Sequence, residues 1–154
     1  MNLLAQIAAV LLGLLGGGLL LLGLGFLPYW QSLDPADFTQ LFSSNVPYVA
    51  AAMKPLGFSA TGAIWLATAL AVWKKLPTRH WLIAASVCAL CMLATFPIYF
   101  VSTNAALAGG AMSAAEISAT LEQWQLVHWF RTVAAIAGCF CAVSAGHASA
   151  RAGQ

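Results

Sequence analysis

Trp124, His128 and Arg131 stand at i, i+4 and i+7 of one apolar stretch, so on a helix the three side chains share a face. An indole can stack on a flat ring, an imidazole can move a proton near neutral pH, and a guanidinium can stabilise a developing oxyanion. Arg131 falls roughly 8 to 10 Å inside the apolar boundary at 1.5 Å per residue. An arginine there costs up to about 2.5 to 3.5 kcal/mol at the midplane unless it is paired, hydrated or reaching back to the surface. Two readings stay open: a rim arginine snorkelling to headgroups, or an inward-facing cation beside a wet pocket, which His128 one turn away favours. The preceding apolar stretch ends on Pro97, Tyr99, Thr103 and Asn104 at the same depth. A pocket between these two stretches would collect Tyr99, Asn104, His128 and Arg131. Taken singly, Asn104 also fits a helix C-cap or turn, and Tyr99 an interface anchor.

Composition dictates the scaffold for these residues. In 154 residues, 62% are hydrophobic and 6% charged, with a mean hydropathy of +0.87. A soluble domain carries about a quarter charged residues, and a disordered chain is polar, so both classes are excluded. Stretches at 3–27, 56–73, 81–101 and 126–145 approach the roughly 20 residues that cross a bilayer. Lengths of this order suit helices rather than barrel strands, because backbone groups in lipid must bond within their own segment. The expected fold is one all-α, integral membrane four-helix domain over 1–154. The first stretch reads as a retained helix: no Lys or Arg precedes it and its apolar run exceeds that of a signal peptide.

Four crossings place both termini on one side, together with Lys74, Lys75, Arg79 and Arg151, and the positive-inside rule makes that side cytoplasmic. A multi-pass protein of the inner (cytoplasmic) membrane is expected. Asp34, Asp37, Glu116 and Glu122 all fall in the two opposite connections. The formal charge of +2 reflects this topology, and no basic run suggests nucleic acid. In the first outer connection, Asp34-Pro35 followed by Phe38, Leu41 and Phe42 predicts a short interfacial helix, interrupted at Asn45 and Pro47. Ser113 and Glu116 form an S-x-x-E capping box, so the fourth helix starts outside the membrane. Trp30, Trp81, Tyr99, Trp124 and Trp129 lie near span ends, where aromatic belts belong. The glycine-rich first span, with its Gly13–Gly17 step, predicts close packing against another helix of this chain or against a second copy in a homo-oligomer.

The cysteines carry less. Cys88 and Cys91 are about 60° apart on their helix, whereas Cys139 and Cys141 are about 200° apart, so the four cannot face one centre. Small packing residues are the expected role, with one disulfide between the two helices left open. His80 and His147 fall at one membrane surface and His128 toward the other, so the histidines make no common metal site, and phosphate-loop, zincin and nucleophile-elbow motifs are absent from the sequence. Repeated halves, usual in secondary transporters, are also absent.

Two elements of the chain resemble the anthrone oxygenase-like family of small four-helix membrane proteins. Thr103-Asn104-Ala-Ala-Leu107 matches the family's N-x-x-L element, and Trp124 through Arg131-Thr132 its W-x-x-x-H/N-x-x-R-T element. The Gly23 to Pro28 end of the first span is similar more loosely, while Ser102-Thr103 replaces the family's usual proline before the asparagine. The resemblance implies an oxygenase that converts a lipophilic polycyclic phenol of anthrone type to a quinone with O₂, using no metal, flavin or other cofactor. On that reading His128 takes the proton, Arg131 stabilises the phenolate, Asn104 and Tyr99 orient the substrate, and Trp124 stacks on its rings. The competing class is a non-catalytic membrane module that binds a quinone-like lipid or serves as an accessory subunit whose polar residues brace the bundle. The expected partners are therefore membrane lipids and a lipophilic aromatic molecule.

Overall fold

A computed structural model describes residues 3–152, with side chains through 148; Arg151, which the sequence places on the cationic side, lies beyond the described side chains. The fold is an all-α four-helix bundle with α1 at Leu3–Gln31, α2 at Pro35–Trp73, α3 at Arg79–Ala108 and α4 at Ala114–Ala152. All four are long and apolar enough to cross a bilayer, and the chain is a multi-pass membrane protein. Each helix packs on its sequence neighbours and α4 closes the ring against α1. Short connections dictate this up-and-down order. At 1.5 Å per residue the 39-residue α2 and α4 measure about 58 Å, nearly twice the hydrocarbon core of about 30 Å, so both project beyond it.

The bundle has two unlike halves. Toward the end that carries Lys74 and Arg79, the buried seam is mostly alanine: Ala8, Ala60, Ala67, Ala85, Ala89, Ala135 and Ala142. Small side chains let helix backbones approach, which replaces the missing hydrophobic drive between helices in lipid with close van der Waals contact. Gly13 and Gly16 belong to this seam: a Cβ at Gly13 would lie 3.4 Å from Cys139 Sγ, and one at Gly16 3.3 Å from Ile136 of α4. A Cβ at Gly18 would lie closer still, 2.9 Å from Met53 Cε of α2. Gly17, the other member of the expected step, is exposed with open space beside it, so only part of the glycine-rich face is used inside the chain. Thr68 adds polar glue, since its hydroxyl lies 2.9 Å from the Leu82 carbonyl and 2.7 Å from Ser86 Oγ of α3. The Cys139 thiol donates to the Ala9 carbonyl at 3.4 Å, and Cys88 packs against Gly138, as packing residues do.

The half at the acidic end is aromatic: Trp30, Phe38, Phe42, Phe100 and Trp124 are buried together. Trp30 (4% exposed) and Trp124 (3%) are core residues, not belt residues, with ring centroids 5.7 Å apart edge to face. Of the other expected belt residues, Trp81 is exposed and Tyr99 and Trp129 are half-buried. The capping box forms as expected: Glu116 Oε2 accepts from the Ser113 N–H and hydroxyl, both at 2.7 Å.

The short interfacial helix takes a different form. It starts at Pro35 but does not stop at Asn45–Pro47; it runs on as the first turns of α2 through Pro47 and Pro55. Each proline removes one backbone donor from the helix. Ser43 and Ser44 bond back to the Gln40 and Leu41 carbonyls, a contact that accommodates a bend rather than a break. Prolines act more strongly elsewhere. Leu22–Phe26 of α1, just before Pro28, and Phe96–Phe100 of α3, around Pro97, are π-helical turns. Both lie in the aromatic half.

Candidate functional site

The two π turns and the middle of α4 meet at one cluster. His128 is fully buried (0% exposed), one turn below Trp124, and the two rings stack at 4.7 Å with 11° between their planes. Its Nε2–H donates to the Leu19 carbonyl of α1 at 2.9 Å, while Nδ1 accepts from Arg131 Nη2–H at 3.1 Å. The partners decide the tautomer: a carbonyl can only accept and a guanidinium can only donate, so the imidazole carries its proton on Nε2. Room for this ring comes from Gly23, inside the first π turn, where a Cβ would lie 3.1 Å from both His128 Nε2 and Trp129 Cζ2.

Arg131 turns inward. Its guanidinium lies over the Phe100 ring at 4.0 Å and 5.8 Å from the Trp124 ring, which excludes the snorkelling arrangement. Its buried Nε has no hydrogen-bond partner among the described residues. Asn104 lies within α3, not at its end, and its Oδ1 accepts from Trp124 Nε1 at 3.0 Å. Trp124, Asn104, His128 and Arg131 are therefore joined through side-chain contacts into one unit spanning α3 and α4.

This unit forms part of the wall of a cavity of about 120 Å³. Leu15, Leu19 and Leu22 of α1, Met53 of α2 and Met92 of α3 supply apolar walls, while Trp30, Asn104, Trp124 and Arg131 supply the polar ones. The cavity lies where the alanine seam gives way to bulky rings and π turns. Exposed Lys54 and Phe58 of α2 face half-buried Leu93 and Phe96 of α3 at its rim, so it opens sideways between these helices. Among the expected residues, Asn104, Trp124 and Arg131 line it. His128 stands behind Arg131 and contributes no wall, and Tyr99 packs edge-on against Phe100 at 5.3 Å, outside the cavity. The space thus lies mainly among α1, α2 and α3, with α4 as its back wall, rather than between α3 and α4.

Two lining residues escaped the sequence reading. Lys54 precedes the second apolar stretch by two positions and reads as part of a connection. Its Nζ lies 5.5 Å from the centroid of the Phe96 ring. The signal was available: it is the one cation in the two acidic connections of the sequence. Trp30, expected in the belt, instead lines the cavity with its Nε1–H buried and unpartnered.

What the arrangement can do is hold a flat apolar group against indoles while offering N–H donors to an oxygen. No protein-family profile, curated protein or solved structure matches the chain.

Proposed function

We propose that the cavity is an intramembrane binding site for a lipophilic ring compound that presents an acceptor oxygen to Arg131. The observation that supports this reading is the coincidence of an apolar, indole-lined cavity with Trp30 and Arg131 in its wall, two side chains whose buried Nε1–H and Nε–H find no acceptor among the described residues. A buried donor left unmade costs about 1 to 3 kcal/mol, and a carbonyl or phenolate oxygen removes that cost. Size favours a single ring: apolar cavities of about 150 Å³ bind benzene, and this one has about 120 Å³. A quinone-like lipid fits with its head inside and its tail leaving between α2 and α3. In a detergent solution of the protein, a benzoquinone bearing a short alkyl tail is expected to quench tryptophan fluorescence saturably, and Arg131→Met to abolish the saturable part. Equal, unsaturable quenching of both proteins would overturn the site.

A second reading keeps the chemistry that the anthrone oxygenase resemblance implies, and the His128–Arg131 bond is what favours it. When Arg131 turns to a substrate oxygen, it releases His128 Nδ1, and that lone pair becomes a base placed behind the cation. Loss of a benzylic proton then leaves a delocalised phenolate, electron-rich enough to reduce O₂. One oxygen atom ends in the new carbonyl and the other in water, which takes the second hydrogen of the methylene and the proton that His128 first removed. A tricycle would keep its outer ring in the lateral mouth. O₂ uptake with anthrone, corrected for the spontaneous reaction and compared with folded His128→Ala and Arg131→Ala, tests this step. Acceleration lost in both variants supports it, and no acceleration by the native protein removes it.

For orientation, we infer that the end carrying Lys74, Lys75 and Arg79 faces the cytoplasm across the inner membrane, so the cavity lies in the outer half. Charge bias in a short loop supports this. Reporter fusions in the two connections after α1 and α3 should both read external; a cytoplasmic reading would reverse the assignment.

A further inference from the structure

We propose that the ligand of this cavity is an acidic, single-tailed amphiphile whose ionised oxygen is held jointly by Arg131 and Lys54. The inference rests on the reading that the cavity is a ligand site, and it adds the charge and chemical class of what enters.

Charge is the first ground. The residues lining the cavity include two cations and no carboxylate. A cation within the span of a membrane protein, as Arg131 is, is costly without a counter-charge, and Lys54 at the edge of its span borders the same small space from a different helix. Both are held by one element: Phe96 opens the π turn of α3 and faces Lys54 at 5.5 Å, and Phe100 closes it and carries Arg131 at 4.0 Å. Aromatic faces hold cations without neutralising them, so each keeps its charge for a further partner.

Hydrogen-bonding capacity is the second ground. Among the described residues Arg131 Nε–H and Trp30 Nε1–H find no acceptor, while the side-chain acceptor in the wall, Asn104 Oδ1, already receives the Trp124 N–H. The side chains therefore offer donors in excess. A ligand hydroxyl acting as donor gains little from such a wall, and a neutral carbonyl answers one donor while leaving both charges unbalanced. An ionised oxygen or carboxylate answers the donors and the charges together, and a guanidinium accepts either with good geometry.

Shape is the third ground. About 120 Å³ admits one ring or a short chain, not the two acyl chains of a phospholipid. The lateral rim, with exposed Phe58 and half-buried Leu93, lets one tail pass into lipid. Lys54, itself exposed at that rim, would meet an entering acid before the more deeply placed Arg131.

The test uses 4-hexylbenzoate and its methyl ester, read by tryptophan fluorescence of the full chain in phosphatidylcholine nanodiscs at neutral pH. The acid is expected to bind at least about tenfold tighter than the ester. Lys54→Met should lower acid affinity several-fold and leave the ester unchanged, and its exposed position lets the fold persist, which a thermal melt checks. Arg131→Met should remove the preference for the acid. Saturable binding of the ester as tight as the acid would overturn the acidic class while leaving the cavity as a ligand site. No saturable binding of either compound would overturn the cavity reading and this inference with it. In discs containing phosphatidylglycerol, at about 0.5 M salt to screen surface repulsion, binding of the acid should persist. Its displacement there would reassign the anion to a lipid headgroup and overturn the proposal.

Discussion

His128 and Arg131 hold each other in place, so removing them should be strongly non-additive. In His128→Ala the imidazole leaves a void between Trp124 and Gly23, the Leu19 carbonyl loses a donor, and Arg131 Nη2 loses its acceptor while buried. Truncating a buried side chain of this size costs about 2 to 5 kcal/mol, and orphaning a buried donor about 1 to 3. A loss of about 4 kcal/mol is expected. Arg131→Met removes the bond to His128 and the contact with Phe100, worth about 0.5 to 2 kcal/mol. It also removes a cation whose insertion costs up to about 2.5 to 3.5 kcal/mol, so its net effect should lie within about 1 kcal/mol of zero. In the double variant no charged donor is left stranded, and the coupling energy should be about 1 to 3 kcal/mol. Unfolding of the four proteins in mixed micelles, followed by helical circular dichroism, gives all the terms. Additivity within about 0.5 kcal/mol, or Arg131→Met as damaging as His128→Ala, would refute this wiring.

Gly23→Ala places a methyl 3.1 Å from His128 Nε2 and Trp129, so despite alanine's better helix propensity it should cost about 1 to 2 kcal/mol, read as a melting temperature lowered by several degrees; an unchanged value would show that the first π turn can yield. Thr68→Val should destabilise by about 0.5 to 1.5 kcal/mol through lost bonding to α3, and adding Ser86→Ala should cost little more, since the two hydroxyls pair at 2.7 Å. Glu116→Ala should speed amide exchange in the first turn of α4 and leave exchange near His128 unchanged, because the capping box lies two turns or more beyond the cluster.

The apolar stretches announced four helices because lipid leaves the backbone few alternatives, and the Ser113–Glu116 box and the shared face of Trp124, His128 and Arg131 were readable because they are local to one helix. Lys54 was not readable in the same way, since it lies at a span edge where connection and helix look alike. Continuity of α2 through Pro47 depended on neighbouring serines and on packing that outweighs one missing donor. Tyr99 was expected beside Asn104 and instead packs outside the cavity. A π turn inserts a residue without adding a turn, which rotates the succeeding helical turns by about 100° relative to an α register and defeats counting along the chain.

Hydropathy and helical period are properties of single segments, so the residue order was enough to establish a multi-pass helical membrane protein with a histidine and an arginine on one shared helix face. Packing between helices decided that the arginine turns inward, that Trp30 and Trp124 leave the expected belt for the core, and that Lys54 joins Arg131 on one cavity. Those outcomes depend on how each helix is rotated against the others. That rotation is set by the alanine seam at one end and the π turns at the other, acting across the bundle rather than along the chain.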